Sequence, residues 1–338
     1  VPALAAALED RAFEVRFAAA RALIHITTRP HTERRATIAV FVEGCRNKDN
    51  QVRTEAAQYL GALGTAARAA VPVLNELLKA EAPGVKTAAA YALVEIAPAG
   101  AAGAVPVLVE VLATSPDSGA DYERAHAAKA LGALGPVAKA AGPELVKQFG
   151  AKNPHVRVGA AAAAMHIDAA LTPKAVAALV ELLRDSKYKR NVIRLHALNA
   201  LAGAGAGAKR AMPALVPLLT DDGRYHEDVA LAAVAIDPQS AKSAFEWIRK
   251  ELSAPNPDPD LIERLPALGA RAAALTPDLT SLLKSRRPDV RQQAVKALGA
   301  IGPGARGALP ALKKLAETDP EPQNRTDAAA AVKNIEAK

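Results

Sequence analysis

The chain has 338 residues, 50% of them hydrophobic and 23% charged, with a formal net charge of +8 and a pI near 9.5. Only 3% are aromatic and there is one cysteine, Cys45, which excludes a disulfide framework and a cysteine metal site. No apolar run is long enough to span a bilayer, no signal peptide is evident, and no period-two alternation rich in Val, Ile and Thr is sustained, so the expectation is an all-helical chain without a membrane span.

From the N-terminus onward, a first-helix pattern VPxLxxLL anchors at Pro2, Ala39, Pro72, Pro106, Pro143, Ala177, Pro213, roughly Glu246, Pro277 and Pro310. That spacing is a period of about 34 residues and gives ten units. A second-helix pattern VRxxAAxALGxLG keeps the same period, starting at Val15-Arg16, Val52-Arg53, Val85-Lys86, Glu123-Arg124, Val156-Arg157, Ile193-Arg194, Val290-Arg291 and Asn324-Arg325. The cleanest copy runs from Asp289 to Leu315. Within it, Val290, Ala294, Ala297, Leu298 and Ile301 make one apolar helical stripe, Gly302-Pro303 stops the helix, and Leu309-Pro310 opens the next. One such helix pair is too thin to bury its stripe, so neighbours must stack on it. Val1 stands in mid-pattern without a methionine, as expected of a processed or excised piece, and no compartment is assigned.

The copies degrade between Thr220 and Ala274. Asp237-Pro238 cuts a second helix short, Ala230 holds the arginine slot, and the three prolines of 253–260 replace a compact turn. The expected organisation is therefore an array of units one to eight over 1–252, a proline-rich loop over 253–260, and units nine and ten over 261–338. The loop reads as a surface connection between units eight and nine, with a hinge as the alternative, and Trp247 as packing for the irregular region.

The stretch Val71 to Ile96, VPVLNELLKAEAPGVKTAAAYALVEI, and the Asp289 stretch resemble HEAT repeats, especially the short bacterial variety also found in phycobilisome lyases. The resemblance covers nearly the whole chain. It implies a right-handed α-solenoid, a superhelix of about ten helix pairs whose second helices line the concave side, and it implies a binding scaffold with no cofactor of its own. Counting from each second-helix start, the third, sixth and tenth residues share one side, which in the family meets the groove. They are Arg21, His25, Glu55, Gln58, Ala88, Tyr91, Glu95, His126, Lys129, His166, His196, Asn199, Gln293 and Lys296. Such a mixed polar surface suits a protein or peptide, and it equally describes an ordinary solvated helix face.

The arginine or lysine after each second-helix start reads as a structural ladder, paired with acids in the preceding turn such as Asp10, Asp49, Asp185 and Asp289; the alternative is a basic stripe for nucleic acid. Arg184, Lys187, Lys189, Arg190 and Arg194, interrupted by Tyr188, form the densest basic cluster, a phosphate or acidic-protein contact if not simply a solvated turn. His126 and His196 sit two units apart, too far to share a metal ion, and His226-Glu227 lacks the second histidine of a zinc protease helix. The glycines of 203–209 match no phosphate loop, and Asn324-Arg325-Thr326 is a glycosylation sequon by pattern alone. Three functions follow in order: a non-catalytic protein- or peptide-binding scaffold; nucleic-acid binding of the HEAT-like DNA glycosylase type, with Glu95 near Tyr91 as candidate acid; and a chromophore lyase or its accessory subunit.

Overall fold

The computed structural model describes residues 2–24, 26, 31–115 and 119–337, and for 31–33 the main chain alone. No strand occurs among the described residues. The chain forms two compact units, Val1–Leu171 and Thr172–Lys338, each a stack of antiparallel helix pairs.

In the first unit the pairs are α1 (Pro2–Ala7) with α2 (Phe13–Ile24), α3 (His31–Gly44) with α4 (Asn50–Ala62), and α5 (Val71–Leu77) with α6 (Pro83–Ile96). α7 (Val105–Leu112) with α8 (Asp121–Leu134), and α9 (Gly142–Lys147) with α10 (Pro154–Ile167), complete it. In the second unit α11 (Thr172–Arg184) pairs with α12 (Val192–Ala204), and α13 (Met212–Leu215) with α14 (His226–Ile236). α15 (Lys242–Leu252) packs on α14 and is followed by α16 (Pro259–Arg264); α17 (Thr276–Leu282) pairs with α18 (Pro288–Ile301), and α19 (Leu309–Thr318) with α20 (Pro322–Glu336).

Local chemistry sets these boundaries. Asp49, Asn153, Asn191 and Asp258 sit at the N-caps of α4, α10, α12 and α16, each accepting a main-chain N–H two residues on. The second glycine of the GxLG pattern ends its helix because it alone adopts the required backbone: Gly135 has φ 58° and Gly302 has φ 66°. The first glycine serves packing instead. A Cβ on Gly61 would stand 3.1 Å from Ala92 Cα, and one on Gly132 3.1 Å from Ala163 Cα, because α4 and α8 pass α6 and α10 at those points. Between the helices lie fully buried leucines such as Leu60, Leu74, Leu93, Leu108, Leu131 and Leu145, each contributing about 1.5–3 kcal/mol of apolar transfer. Phe17, Phe41 and Tyr59 fill the space between the first two pairs, with Phe41 and Tyr59 stacked at 5.0 Å.

The arginine ladder exists, with different rungs from those expected. Arg16 donates to the main-chain carbonyls of Asp10 (2.8 Å) and Arg11 (3.0 Å), and reaches forward to the Glu43 carboxylate of the next pair at 2.6 Å. Lys86 meets Glu110 at 2.7 Å, Arg124 meets Gln148 at 2.5 Å, and Arg291 holds Asp319 through two bonds of 2.7 and 2.8 Å. In these rungs a side-chain partner lies on the following pair, while Arg124 also pairs with Asp121 at 2.8 Å and Arg53 with Asn50 on their own helices. The nearby acids do other work: Asp49 and Asp185 cap helical turns, Asp10 accepts the Ala12 N–H, and Asp289 pairs with Arg287.

The irregular region belongs to the second unit. α14 ends at Ile236, where Asp237 takes the cap position. Residues 253–258 lie between α15 and α16, and Pro259 is already helical. α16 and the 3-10 segment Leu265–Leu275 pack on α18, and that segment also packs on α14. Trp247 on α15 is half-buried. The glycine run forms the end of α12 and the 3-10 turn Gly205–Ala211, and Asn324 is buried, donating to the Pro288 carbonyl, where no glycan could be attached in the folded chain.

Candidate functional site

In Val1–Leu171 the exposed sides of α4, α6 and α8 form a groove of about 640 Å³. Its lining follows helical spacing: Thr54, Gln58, Gly61 and Ala62 on α4, Ala88, Tyr91, Ala92 and Glu95 on α6, Tyr122, Glu123 and His126 on α8. Ala88 and Ala92 are buried and make a low floor, with Gly61 against Ala92 bringing α4 close. Gln58, Glu95, Glu123 and His126 are exposed at the sides, and Val111, Thr114 and Ala120 close one end.

Five expected groove residues, Gln58, Ala88, Tyr91, Glu95 and His126, therefore come together in one place. Tyr91 is fixed there by donating its hydroxyl to the Glu123 carbonyl at 3.3 Å, and burial, with Glu123 and Tyr122 adding, pushes its phenol up to about 12. The rings of Tyr91 and His126 are 4.2 Å apart. Burial first and Lys129 second hold the His126 imidazole below its usual range, against the pull of Glu95. Lys129 is exposed one turn beyond His126, Arg21 meets Glu55 at 3.6 Å, and His166 is exposed on the last turn of α10; none of the four lines the groove. His25 lies outside the described residues.

The second unit has its own groove, of about 850 Å³, and Asn199 lines it. Around it stand Glu227, Asp228, Asp260, Glu263, Arg264 and Arg271. Arg264 bridges two carboxylates, Glu227 at 2.7 Å and Asp228 at 2.6 Å, and thereby joins α16 to α14 where Ala230 leaves the ladder slot empty. Burial raises the Glu227 carboxyl although Arg264 opposes it. His196 is exposed on α12, Gln293 half-buried and Lys296 exposed on α18. None of these acids was expected, because the degraded copies around Thr220–Ala274 hid the register; the missing arginine at Ala230 was the available signal.

The basic cluster is not a free cationic surface. Arg194 is only 1% exposed, bound to Asp221 at 2.8 Å and to the Lys189 carbonyl, and Tyr188 is buried, so neither is available at the surface for a ligand. Lys187 pairs with Asp185 and lies 4.7 Å from the Tyr188 ring, Lys189 pairs with Asp222, and Arg190 donates to the Asp222 carbonyl. Arg184 remains exposed. His226 Nε2 lies 3.0 Å from the Asp221 carbonyl and 3.2 Å from its carboxylate, in the same turn that Arg194 anchors. Tyr122 and Glu123 are the groove residues that sequence reasoning missed; Tyr122 stands four residues before His126, which places it on the same helical side.

Among the described residues no group of three His, Cys, Asp or Glu side chains is arranged to hold a metal ion, and no helix is long and apolar enough to cross a membrane. A family model described as HEAT repeats matches residues 1–93, 38–123, 117–193 and 245–333. Among solved structures, the karyopherin Kap121p bound to the SUMO protease Ulp1p aligns over 99% of this chain and 48% of its own, with TM-score 0.56 and 14% identity. An engineered protein aligns over 99% of this chain and 98% of its own, with TM-score 0.48 and 24% identity. The CpcE and CpcF complex of phycocyanin lyase from Nostoc covers 73% of this chain and 92% of its own, with TM-score 0.44 and 21% identity. The chain spans about half the length of the karyopherin, and at these identities the likeness is one of fold. No curated protein matches.

Proposed function

This chain belongs to the HEAT-repeat family, and from that premise we propose that it is a non-catalytic scaffold that binds a protein or peptide along its second-helix grooves. The observation that carries the reading is the Val1–Leu171 groove, where three successive second helices present Gln58, Tyr91, Glu95 and His126 on a floor of alanine. The framework is regular and the lining is not, as suits a surface that selects a partner. Helices held by ladder and core are preformed, so binding loses little conformational entropy. The karyopherin of similar fold, crystallised with bound proteins, is in keeping with this use of a helical array.

A photo-crosslinking residue at Gln58 or His126 should capture partners from the native source, whereas one at Glu76 on the exposed side of α5 should not. Glu95→Lys and Glu123→Lys should each reduce capture at least fivefold. Partners crosslinking only at Glu76, or unchanged capture by both charge reversals, would remove the proposal.

A further inference from the structure

One end of the Val1–Leu171 groove is built from rings and carboxylates. Tyr122, at the start of α8, is 79% exposed, and its ring lies 13° from parallel with that of His126, centroids 6.1 Å apart. Tyr91 of α6 abuts His126 on a 4.2 Å separation, so three rings from two adjacent helices make one aromatic wall. The hydrogen bond from Tyr91 to the Glu123 main chain ties α6 to α8 and holds that wall in place without a ligand. Glu95 and Glu123 line the same end, exposed, and neither forms an ion pair among the described residues. Among the described residues no lysine or arginine lines this groove, with Lys129 one turn beyond His126, although the chain as a whole carries +8. Burial and Lys129 hold the His126 imidazole below its usual range, which disfavours a cation within the wall.

A local excess of carboxylate beside π faces is complementary to a cation. Ring faces attract cations, and a guanidinium suits the place better than an ammonium because it is planar, weakly hydrated and able to stack while donating to carboxylates. Helices stand about 8–10 Å apart, so the groove across α4, α6 and α8 runs roughly 20 Å, about six residues of extended chain. We propose that this end of the groove takes the guanidinium of an arginine in an extended basic segment of the partner, stacked on the wall of Tyr122 and His126 and paired with Glu95 and Glu123. The assignment rests on the groove being the binding surface, and goes further by naming what it grips.

Four fluorescein-labelled octapeptides, identical Ser/Gly sequences except for two central residues that are both Arg, Lys, Gln or Glu, are titrated against the full chain by anisotropy. The Arg peptide should bind saturably and at least tenfold tighter than the Gln and Glu peptides, and tighter than the Lys peptide. Tyr122→Ala and the double variant E95Q/E123Q should each weaken the Arg peptide at least fivefold, while Tyr122→Phe retains it. Tyr122 is exposed, so its variants should keep the parent melting curve, and that curve is the check on folding. Equal affinity for Arg and Gln peptides, equal affinity for Arg and Lys, or no effect of Tyr122→Ala would overturn the assignment. If partners still crosslink at Gln58 and His126 under those outcomes, only the guanidinium is lost; if they do not, the groove itself is.

Discussion

Asp319 offers the sharpest test of the ladder. It is 3% exposed, accepts two bonds from Arg291 at 2.7 and 2.8 Å, and accepts the Glu321 N–H at 2.9 Å at the start of α20. Asp319→Ala leaves the Arg291 guanidinium buried without its counter-charge, a change that costs about 3–5 kcal/mol in buried pairs. Arg291 keeps the Ser285 carbonyl at 2.9 Å and that of Arg286 at 3.4 Å, so the lower end, about 3 kcal/mol, is expected. In a repeat array the loss falls on the local pair. Hydrogen exchange of α20 amides, followed by mass spectrometry at pH 7, should then speed up by about 100-fold, at 1.4 kcal/mol per tenfold. Arg291→Met in the same chain should recover most of the loss, because a buried pair replaced by apolar groups is close to neutral. The pH dependence has a definite sign. Arg291 holds the Asp319 carboxyl below its ordinary range, so the stabilisation is complete above the unfolded carboxylate pKa and disappears as pH falls through the lower folded value. The gap between parent and Asp319→Ala should close only in that acid window. Exchange changed less than threefold at pH 7, or a double variant no better than the single one, would refute the reasoning.

Two helical glycines give opposite expectations according to what a side chain there would meet. Gly132→Val must push against Ala163 Cα and should destabilise by about 2 kcal/mol in urea unfolding, whereas Gly203→Ala, with nothing within 4 Å, should stabilise by about 0.5–1 kcal/mol. Gly302→Ala forces a side chain into φ 66°, ψ −137° and should cost about 1–3 kcal/mol, seen as a lower melting temperature.

Periodicity made the helix pairs legible before any coordinates. Each pair buries one stripe, stops at a glycine and restarts near a proline, and those are local rules. What was not legible depends on atoms about one period away. Asp289 looked like the partner of Arg291 because it is near in sequence, yet Asp319, 28 residues on, takes the guanidinium. Arg194 and Tyr188 looked like surface in a basic turn; the Asp221 turn folds over Arg194, with Gly223 close enough that a Cβ there would collide with the guanidinium. Where Ala230 removes the arginine, Arg264 from the next pair supplies a bridge in reverse, which no pattern of short spacing reveals. Of the groove, the residues on α6 were readable from the count of three, six and ten, while Tyr122 was missed because α8 begins two residues before the apparent start of the motif.

Apart from Gly61, which serves both, the framework residues and the groove residues occupy different sides of the same helices. Ladder and glycine slots face neighbouring pairs, so their chemistry is fixed by a contact repeated along the chain. Gln58, Glu95 and Tyr122 face none, and their identities are free of that constraint. Changes at the first set should therefore alter stability and leave partner capture at the groove intact, and changes at the second should do the reverse. Asp319→Ala is the demanding case: it loosens α20 in one unit, and in a chain where each pair leans only on the next, crosslinking from Gln58 should match the parent while α20 exchange rises. Loss of both together would mean that the pairs do not act as near neighbours, and the division between framework and groove would go with them.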